Sequence, residues 1–180
     1  MLTDIPARFS ERSQYYLGTE YPSKIALALG AVPTEKLWWR ANASSNSIGN
    51  LMLHLSGNVR QWIVSGVGGA PDARERDAEF AAQSGMDGAQ LIAYLHEACR
   101  DAVAVLASLE PAAMAEIRTI QGRESTVFSA IYHVVEHFAG HTGQIILLAK
   151  MFAPDTVRLY DDTGGLARPL FLPDGVSDIA

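Results

Sequence analysis

The sequence lacks several features that would define specialised classes of protein. Its 180 residues include one cysteine, Cys99, and no CxxC pair, which excludes an internal disulfide and a cysteine-based zinc module. It has no run of Lys and Arg, and 14 basic against 20 acidic residues give a net charge of −6. Because nucleic-acid binding depends mainly on basic side chains that contact phosphates, we expect no nucleic-acid partner.

Long apolar runs and targeting signals are missing as well. No stretch approaches the roughly 18 consecutive apolar residues of a membrane span, so we expect no membrane partner. The N-terminal residues MLTDIPARFSERSQYY have neither the basic start nor the apolar core of a signal peptide. Apolar residues make up 48% of the chain, which is enough for one domain with its own core. We therefore expect a single cytoplasmic domain over residues 1–180.

Four long segments carry the apolar periodicity of amphipathic helices. The first spans about residues 6–29, and Pro22 predicts a kink or break at Tyr21. The second opens among the N-cap residues 44–47 and ends at the glycines near residue 66. The third follows Asp87 and runs to Pro111, and the fourth spans residues 125–152. This pattern predicts an all-α fold, a four-helix bundle.

The connections between these helices are less regular. The polar residues 71–88 predict a long loop with at most one short helical turn, and residues 119–123 predict a tight turn or a short strand pair. Residues 153–180 hold several prolines and glycines, which predicts a long irregular C-terminal tail. Its apolar residues 170–172 suggest packing on the bundle or on a second subunit.

Histidine is scarce but clustered. Of five histidines, His133, His137 and His141 fall within nine residues of the fourth helix. Helix positions four apart share a face, with Cβ atoms about 5–6 Å apart, so two such imidazoles can bind one transition-metal ion. His54 borders the apolar stripe of the second helix and is the natural third ligand. We predict a divalent metal site formed by His54, His137 and His141, in preference to a histidine cluster without metal.

Three neutral histidines would leave coordination positions open, which is typical of catalytic rather than structural metal sites. A bound water would have a lowered pKa and act as a nucleophile, or a substrate thiol would bind and ionise. Imidazole suits zinc, nickel, iron and copper alike, so the ligand set does not identify the metal.

His133 admits two interpretations. With Glu136 and His137 it forms H-x-x-E-H, the motif of a zinc protease in which His133 and His137 bind zinc and Glu136 is the general base. This short string is weakly specific, and such a fold needs more strands than this sequence predicts. We prefer His133 as a catalytic candidate one turn from the metal, acting as an outer-shell group or a proton carrier.

Polar residues near His54 are candidates for supporting roles. Asn50, Asn58 and Gln61 lie one or two helical turns from it, where ligand partners are needed. Asn58, Arg60 or Gln61 would orient a substrate if they face the cleft.

His96 and Cys99 form the remaining pair of reactive residue types. They lie three residues apart in the third helix. A His/Cys pair can support thiol chemistry. With no further supporting residue, we interpret them as an exposed helix histidine and a buried, inert cysteine.

Several strings resemble a known family. SIGNLMLHL at residues 47–55 and HVVEHFAGHTGQI at residues 133–145 resemble the DinB/YfiT superfamily of metalloenzymes. WWR at 38–40, NVRQW at 58–62 and GGAPD at 68–72 resemble one branch of it, known as a domain of unknown function. The resemblance covers about residues 5–160.

This resemblance implies a four-helix bundle, often a homodimer, with a divalent metal held by His54, His137 and His141. Zinc or nickel is the metal we expect. Related proteins include S-transferases and an isomerase that use small thiols, which implies a metal-dependent transferase acting with a small-molecule thiol. A metal-dependent hydrolase, with His133 or Glu136 accepting a proton, and a non-catalytic dimeric metal-binding protein are the alternatives. Trp38–Trp39 and the apolar residues 170–172 also favour a homodimer.

Overall fold

The computed structural model describes residues 4–165 and 167–172. Within them the chain forms the predicted all-α bundle. Its helices are α1 (Ile5–Tyr15), α2 (Tyr21–Gly30), α3 (Ile48–Val59), α4 (Arg76–Ala81), α5 (Gly88–Ala107) and α6 (Val127–Phe152). Short 3₁₀ turns at Thr34–Lys36 and Pro111–Ala115 lie in the connections. The first bundle helix comprises α1 and α2, and the short α4 is the helical turn expected within residues 71–88.

Two of the bundle helices contain π-helical segments, which the sequence did not predict. Tyr16–Glu20 joins α1 to α2, and Arg60–Val67 extends α3. The expected interruption at Pro22 is therefore a widened turn rather than a break, and the helix continues. A proline ring collides with the carbonyl four residues earlier in a regular helix, and a widened turn just upstream relieves that crowding.

The helix starts lie where the capping residues predicted them. Ser47 Oγ accepts a hydrogen bond from the Asn50 backbone N–H at 3.1 Å, and Asn50 Oδ1 accepts from the Ser47 N–H at 3.1 Å. Asp87 and Gln90 form the same reciprocal pair at the start of α5. Thr126 Oγ1 accepts from the backbone N–H of residue 129 at the start of α6. Each contact satisfies an N–H that the helix leaves unpaired.

The turn predicted at residues 119–123 is a β-hairpin. Strands β1 (Ile117–Ile120) and β2 (Arg123–Thr126) pair antiparallel, with Ile120 opposite Arg123. The two residues between them have positive φ, 54° at Gln121 and 73° at Gly122. That combination is typical of the two-residue turns that match strand twist.

Helix α3 is the central helix of the bundle. Eleven of its twelve residues are buried, and it packs against both α5 and α6. Its apolar side chains share one core cluster with those of the neighbouring helices, including Leu51, Leu55, Leu95, Val134 and Phe138. His54 therefore projects from the most enclosed helix of the protein.

The described part of the C-terminal tail folds back on its own chain. Val157 is buried against α2 and α6, and strands β3 (Tyr160–Asp161) and β4 (Arg168–Pro169) form a small pair. Phe171 is 7% exposed, and the Lys24 ammonium lies 4.8 Å from the centre of its ring. The tail is thus irregular, as predicted, and packs on the bundle; residues 173–180 lie outside the described residues.

The tryptophan pair also contacts its own chain. Trp38 Nε1 donates to the carbonyl of Met86 at 3.1 Å, and the Trp39 ring lies 5.2 Å from that of Phe152. Of the residues on which the dimer expectation rested, Trp39 and Leu170 are 36% and 46% exposed, whereas Phe171 is buried.

No helix in the described ranges 4–165 and 167–172 is both long and apolar enough to cross a lipid bilayer.

Candidate metal centre

The structure brings together His54, from α3, and His137 and His141, from α6. His137 Nε2 lies 2.9 Å from His54 Nε2, and the rings of His137 and His141 are 4.4 Å apart. One nitrogen from each residue falls within 4.8 Å of the other two. Nitrogens that share one tetrahedral ion lie roughly 3.3 Å apart, given bonds of about 2.0–2.1 Å. Small ring movements would therefore let all three bind one ion.

His137 and His141 have pKa values lowered from 6.5, which favours the neutral imidazole that metal binding needs. Burial, followed by the neighbouring His141 and His54, lowers the pKa of His137 from 6.5 to about 3. Burial also lowers the pKa of His141, although its hydrogen bond with Gln144 opposes this. Gln144 Oε1 lies 2.7 Å from His141 Nδ1 and accepts a hydrogen bond from its N–H, which leaves Nε2 with a free lone pair. All three histidines fit a divalent ion in position, and His137 and His141 also fit it in charge.

We expect the metal-free protein to lose stability on mild acidification. His137 has a pKa of 6.5 when unfolded and about 3 when folded, so its stabilising effect is present above pH 6.5 and is lost as pH falls towards 3. Unfolding free energy should drop by about 1–2 kcal/mol between pH 7 and pH 5. Urea titration at both pH values measures this change in the free energy of unfolding. The drop should shrink in His137→Gln and persist in His96→Gln, which alters an exposed histidine.

His133 lies one helical turn from this group, as predicted. Its ring is 5.4 Å from that of His137 and 4.3 Å from that of Trp62. Among the described residues the close ligand atoms belong to His54, His137 and His141, without His133. Burial lowers the pKa of His133 against the opposing effect of Glu136, which is exposed. His133 is therefore a neutral base at pH 7 beside the candidate ligands.

His96 and Cys99 do not form a reactive pair. His96 is exposed on α5, whereas Cys99 is 2% exposed. Burial raises the pKa of Cys99 to about 12, with Arg60 opposing the shift. The thiol stays protonated at neutral pH, so the interpretation of an inert cysteine agrees with the structure.

A buried ion pair lies behind His54. Glu79 Oε2 is 3.0 Å from His54 Nδ1, and Arg74 binds Glu79 through two hydrogen bonds of 2.7 and 2.8 Å. The Arg74 side chain is 3% exposed and that of Glu79 is 10% exposed. Burial tends to raise the pKa of Glu79, but its hydrogen bonds from Arg74 and His54 outweigh this, so the net pKa is lowered. A carboxylate thus lies directly against one candidate ligand.

Arg40 and Asn50 hold this segment in place. Asn50 Nδ2 donates to the carbonyls of Glu79 and Ala82, both at 2.8 Å. Arg40 donates to the carbonyls of Phe80 and Ala82 and to Asn50 Oδ1. Asn50, which the sequence placed near the ligands, therefore acts on the end of α4 rather than on the histidines.

Asn58, Arg60 and Gln61, the residues proposed to orient a substrate, lie in different environments. Arg60 pairs with Asp101 at 2.8 Å, and Gln61 Oε1 accepts from Arg74 at 2.9 Å. Both line a cavity of about 700 Å³ whose described lining does not include the three histidines. Asn58, one turn beyond His54, is 3% exposed, and its Oδ1 has no hydrogen-bond partner among the described residues. Asn58 therefore remains a candidate to orient a substrate, on its spacing from His54 and its unpaired Oδ1.

Glu79 and Arg74 were not predicted from the sequence. Both lie in a polar segment without apolar periodicity, and Glu79 is 25 residues from His54 along the chain. Seven charged residues occur between positions 71 and 88, and no spacing rule distinguishes these two. The one indirect signal is Gly57, since a Cβ there would overlap Glu79 Oε1.

A solved structure shares this architecture. The DinB-like protein YjoA from Bacillus subtilis superposes with a TM-score of 0.58 at 13% sequence identity, over 78% of this chain and 90% of that chain. At this identity the likeness shows the fold, a DinB-like helical bundle, and agrees with the resemblance predicted from the sequence.

The sequence assigns the family. Residues 17–160 match the family described as "Protein of unknown function (DUF1572)", and the chain belongs to that family. No curated protein matches the sequence. The protein is thus a DUF1572 family member with a DinB-like fold, and its three close histidines could hold a metal ion.

Proposed function

We propose that the protein binds one divalent transition-metal ion through His54, His137 and His141. The observation that carries this is the close approach of three imidazole nitrogens from two helices, within 4.8 Å of one another. The lowered pKa of His137 keeps it neutral at pH 7, so an ion does not have to displace a proton from an imidazolium at this residue. Of the three histidines, His54 is 5% exposed, so this ligand is shielded from water. Zinc and nickel are the ions we expect.

We propose further that the protein is a transferase that acts with a small thiol, the function implied by the family resemblance. A divalent ion bound by three neutral ligands supplies a Lewis acid that lowers the pKa of a coordinated thiol. Glu79 lies behind His54, and Glu136 is exposed. A carboxylate general base beside the ligands, which a hydrolase would use, is therefore not provided by either. A thiol cofactor also suits a reducing compartment, and we propose that the protein acts in the cytoplasm.

His133 and Asn58 would support the proposed thiol chemistry. His133, neutral and one turn from His137, accepts the proton released by the substrate. Asn58 offers its unpaired Oδ1 to a polar group of the substrate, because buried acceptors are usually hydrogen-bonded.

A thermal-shift assay tests the thiol. The protein would be melted with cysteine, glutathione and other small thiols, in the zinc-loaded and the chelator-treated states. One thiol should raise the melting temperature only in the zinc-loaded protein. The variant His141→Ala, mixed with the same zinc and thiols, is the matched control and should show no such shift. Equal stabilisation of both states would contradict the thiol proposal and leave the metal proposal intact.

We also propose a homodimer formed through α6. The large apolar side chains Phe128, Tyr132, Leu147 and Met151 are 44–62% exposed. They fall within about 140° of the helix circumference. Between them lie Ala139, Gly140 and Gly143, which are exposed and small enough for a second copy of α6 to approach closely. Exposed apolar surface of this kind usually marks an interface.

Light scattering checks the dimer. At micromolar concentration the unaltered chain should have the mass of two copies, and Leu147→Glu should have the mass of one, because a charge would be buried in the interface. Ala104→Glu introduces the same charge on an exposed site of α5 and should remain dimeric. A single-chain mass for the unaltered protein would refute the dimer.

A further inference from the structure

We infer that Glu79 is a positioning residue, which orients His54 for metal binding and is itself fixed by Arg74 and by the gap at Gly57. This inference rests on the proposed metal site. Glu79 lies in α4, outside the helices that carry the three histidines, and nothing in the motif strings of the sequence includes it.

The direction of the His54 ring supports this role. Its Nε2 points to His137 Nε2, 2.9 Å away, and its Nδ1 points to Glu79 Oε2, 3.0 Å away. Coordination through Nε2 leaves the single proton of a neutral imidazole on Nδ1, and a buried N–H needs an acceptor. Glu79 supplies that acceptor, as Gln144 does for His141.

Arg74 and Glu79 together offer a hydrogen-bond partner to either neutral tautomer of His54. Its Nη2 lies 3.0 Å from His54 Nδ1, so Nδ1 has a donor and an acceptor within reach. The donor suits the tautomer that carries its proton on Nε2. The acceptor suits the tautomer that carries it on Nδ1. Metal binding requires the free lone pair on Nε2 and therefore selects the form bonded to Glu79.

The position of Glu79 is itself tightly defined. Arg74 binds both of its carboxylate oxygens, and Arg74 Nη1 donates to Gln61 Oε1 at 2.9 Å. Gly57, three residues after His54 on α3, leaves the space that the carboxylate occupies, and a Cβ there would overlap Glu79 Oε1. Arg74 and Glu79 are nearly buried, which strengthens the pair relative to a surface contact.

Zinc affinity of three variants, measured by competition with a chromophoric chelator, tests the role. Glu79→Gln should weaken zinc binding by about 10- to 100-fold, the usual cost of losing a partner of a metal-ligating histidine. Gly57→Ala keeps the carboxylate but displaces it and should also weaken binding. Glu75→Gln removes an exposed carboxylate four residues away and should stay within about twofold of the unaltered chain.

Cobalt spectra separate positioning from a loss of stability. Each chain would be saturated with Co²⁺ well below its melting temperature, with helical circular dichroism as the check of folding. Glu79→Gln should shift the visible absorption bands because the His54 ligand field changes, and Glu75→Gln should not. Unchanged zinc affinity and unchanged spectra in Glu79→Gln and Gly57→Ala would overturn this inference alone. Failure of the unaltered chain to bind zinc or cobalt would overturn the proposed function and, with it, this inference.

Discussion

Replacement of His54, His137 or His141 by alanine is expected to lower zinc affinity by more than about a hundredfold, the upper range for changes outside the ligand set. Each variant loses one of three nitrogens that lie within 4.8 Å of one another. Metal content after purification and chelator competition measure the effect. His54→Ala is the most informative of the three, because it leaves the paired histidines of α6 intact.

His133→Ala is the control for this series. Its ring lies outside the group of close ligand atoms among the described residues, so metal content should stay at the level of the unaltered chain. Loss of metal in His133→Ala together with full retention in His141→Ala would instead favour the H-x-x-E-H interpretation, with Glu136 as the base. Full retention in all three ligand variants would show that the triad is wrong.

Metal removal is expected to lower the melting temperature and leave the helices folded. Four helices bury a continuous apolar core that contains none of the three candidate ligands. Zinc at a hundred times its Kd would add about 2.7 kcal/mol to the unfolding free energy. For a chain of this length that is roughly 5–10 °C in Tm. Melts followed by circular dichroism, with and without chelator, measure both the shift and the helical signal at room temperature.

The ligand variants control this experiment too. Chelator should leave the melting temperature of His137→Ala unchanged, since that variant has no ion to lose. If chelation abolished the helical signal of the unaltered chain at room temperature, the core would depend on the metal as zinc fingers do.

The sequence predicted the elements whose signals are local. Ser47, Asp87 and Thr126 marked three helix starts through hydrogen bonds that span three residues. The hairpin followed from a short turn ending in Gly122. The grouping of His137 with His141 followed from helical spacing, and His54 joined them because it borders the buried stripe of α3.

Features that depend on distant contacts were not predictable. The π-helical segments arise from how each helix meets its neighbours, and apolar periodicity does not reveal them. Glu79 reaches His54 because Arg40 and Asn50 fix the carbonyls at the end of α4, and a charged loop carries no record of such anchoring. The burial of Phe171 depends on contacts with Lys24, which is remote in sequence, and with Tyr160, which lies in the irregular tail.

For the proposed metal site, the unequal enclosure of the three histidines has a kinetic consequence. His54 is nearly sealed within the bundle, whereas His137 and His141 are only partly buried. An ion arriving from solvent would meet the α6 pair first and reach His54 last. The rate of metal capture would then depend on the two histidines of α6, and the lifetime of the bound ion would depend on His54 of α3. In a site that fills in this order, the rate of metal exchange would be limited by how fast the His54 side chain moves away from the ion. The tight packing of α3 would make that movement slow.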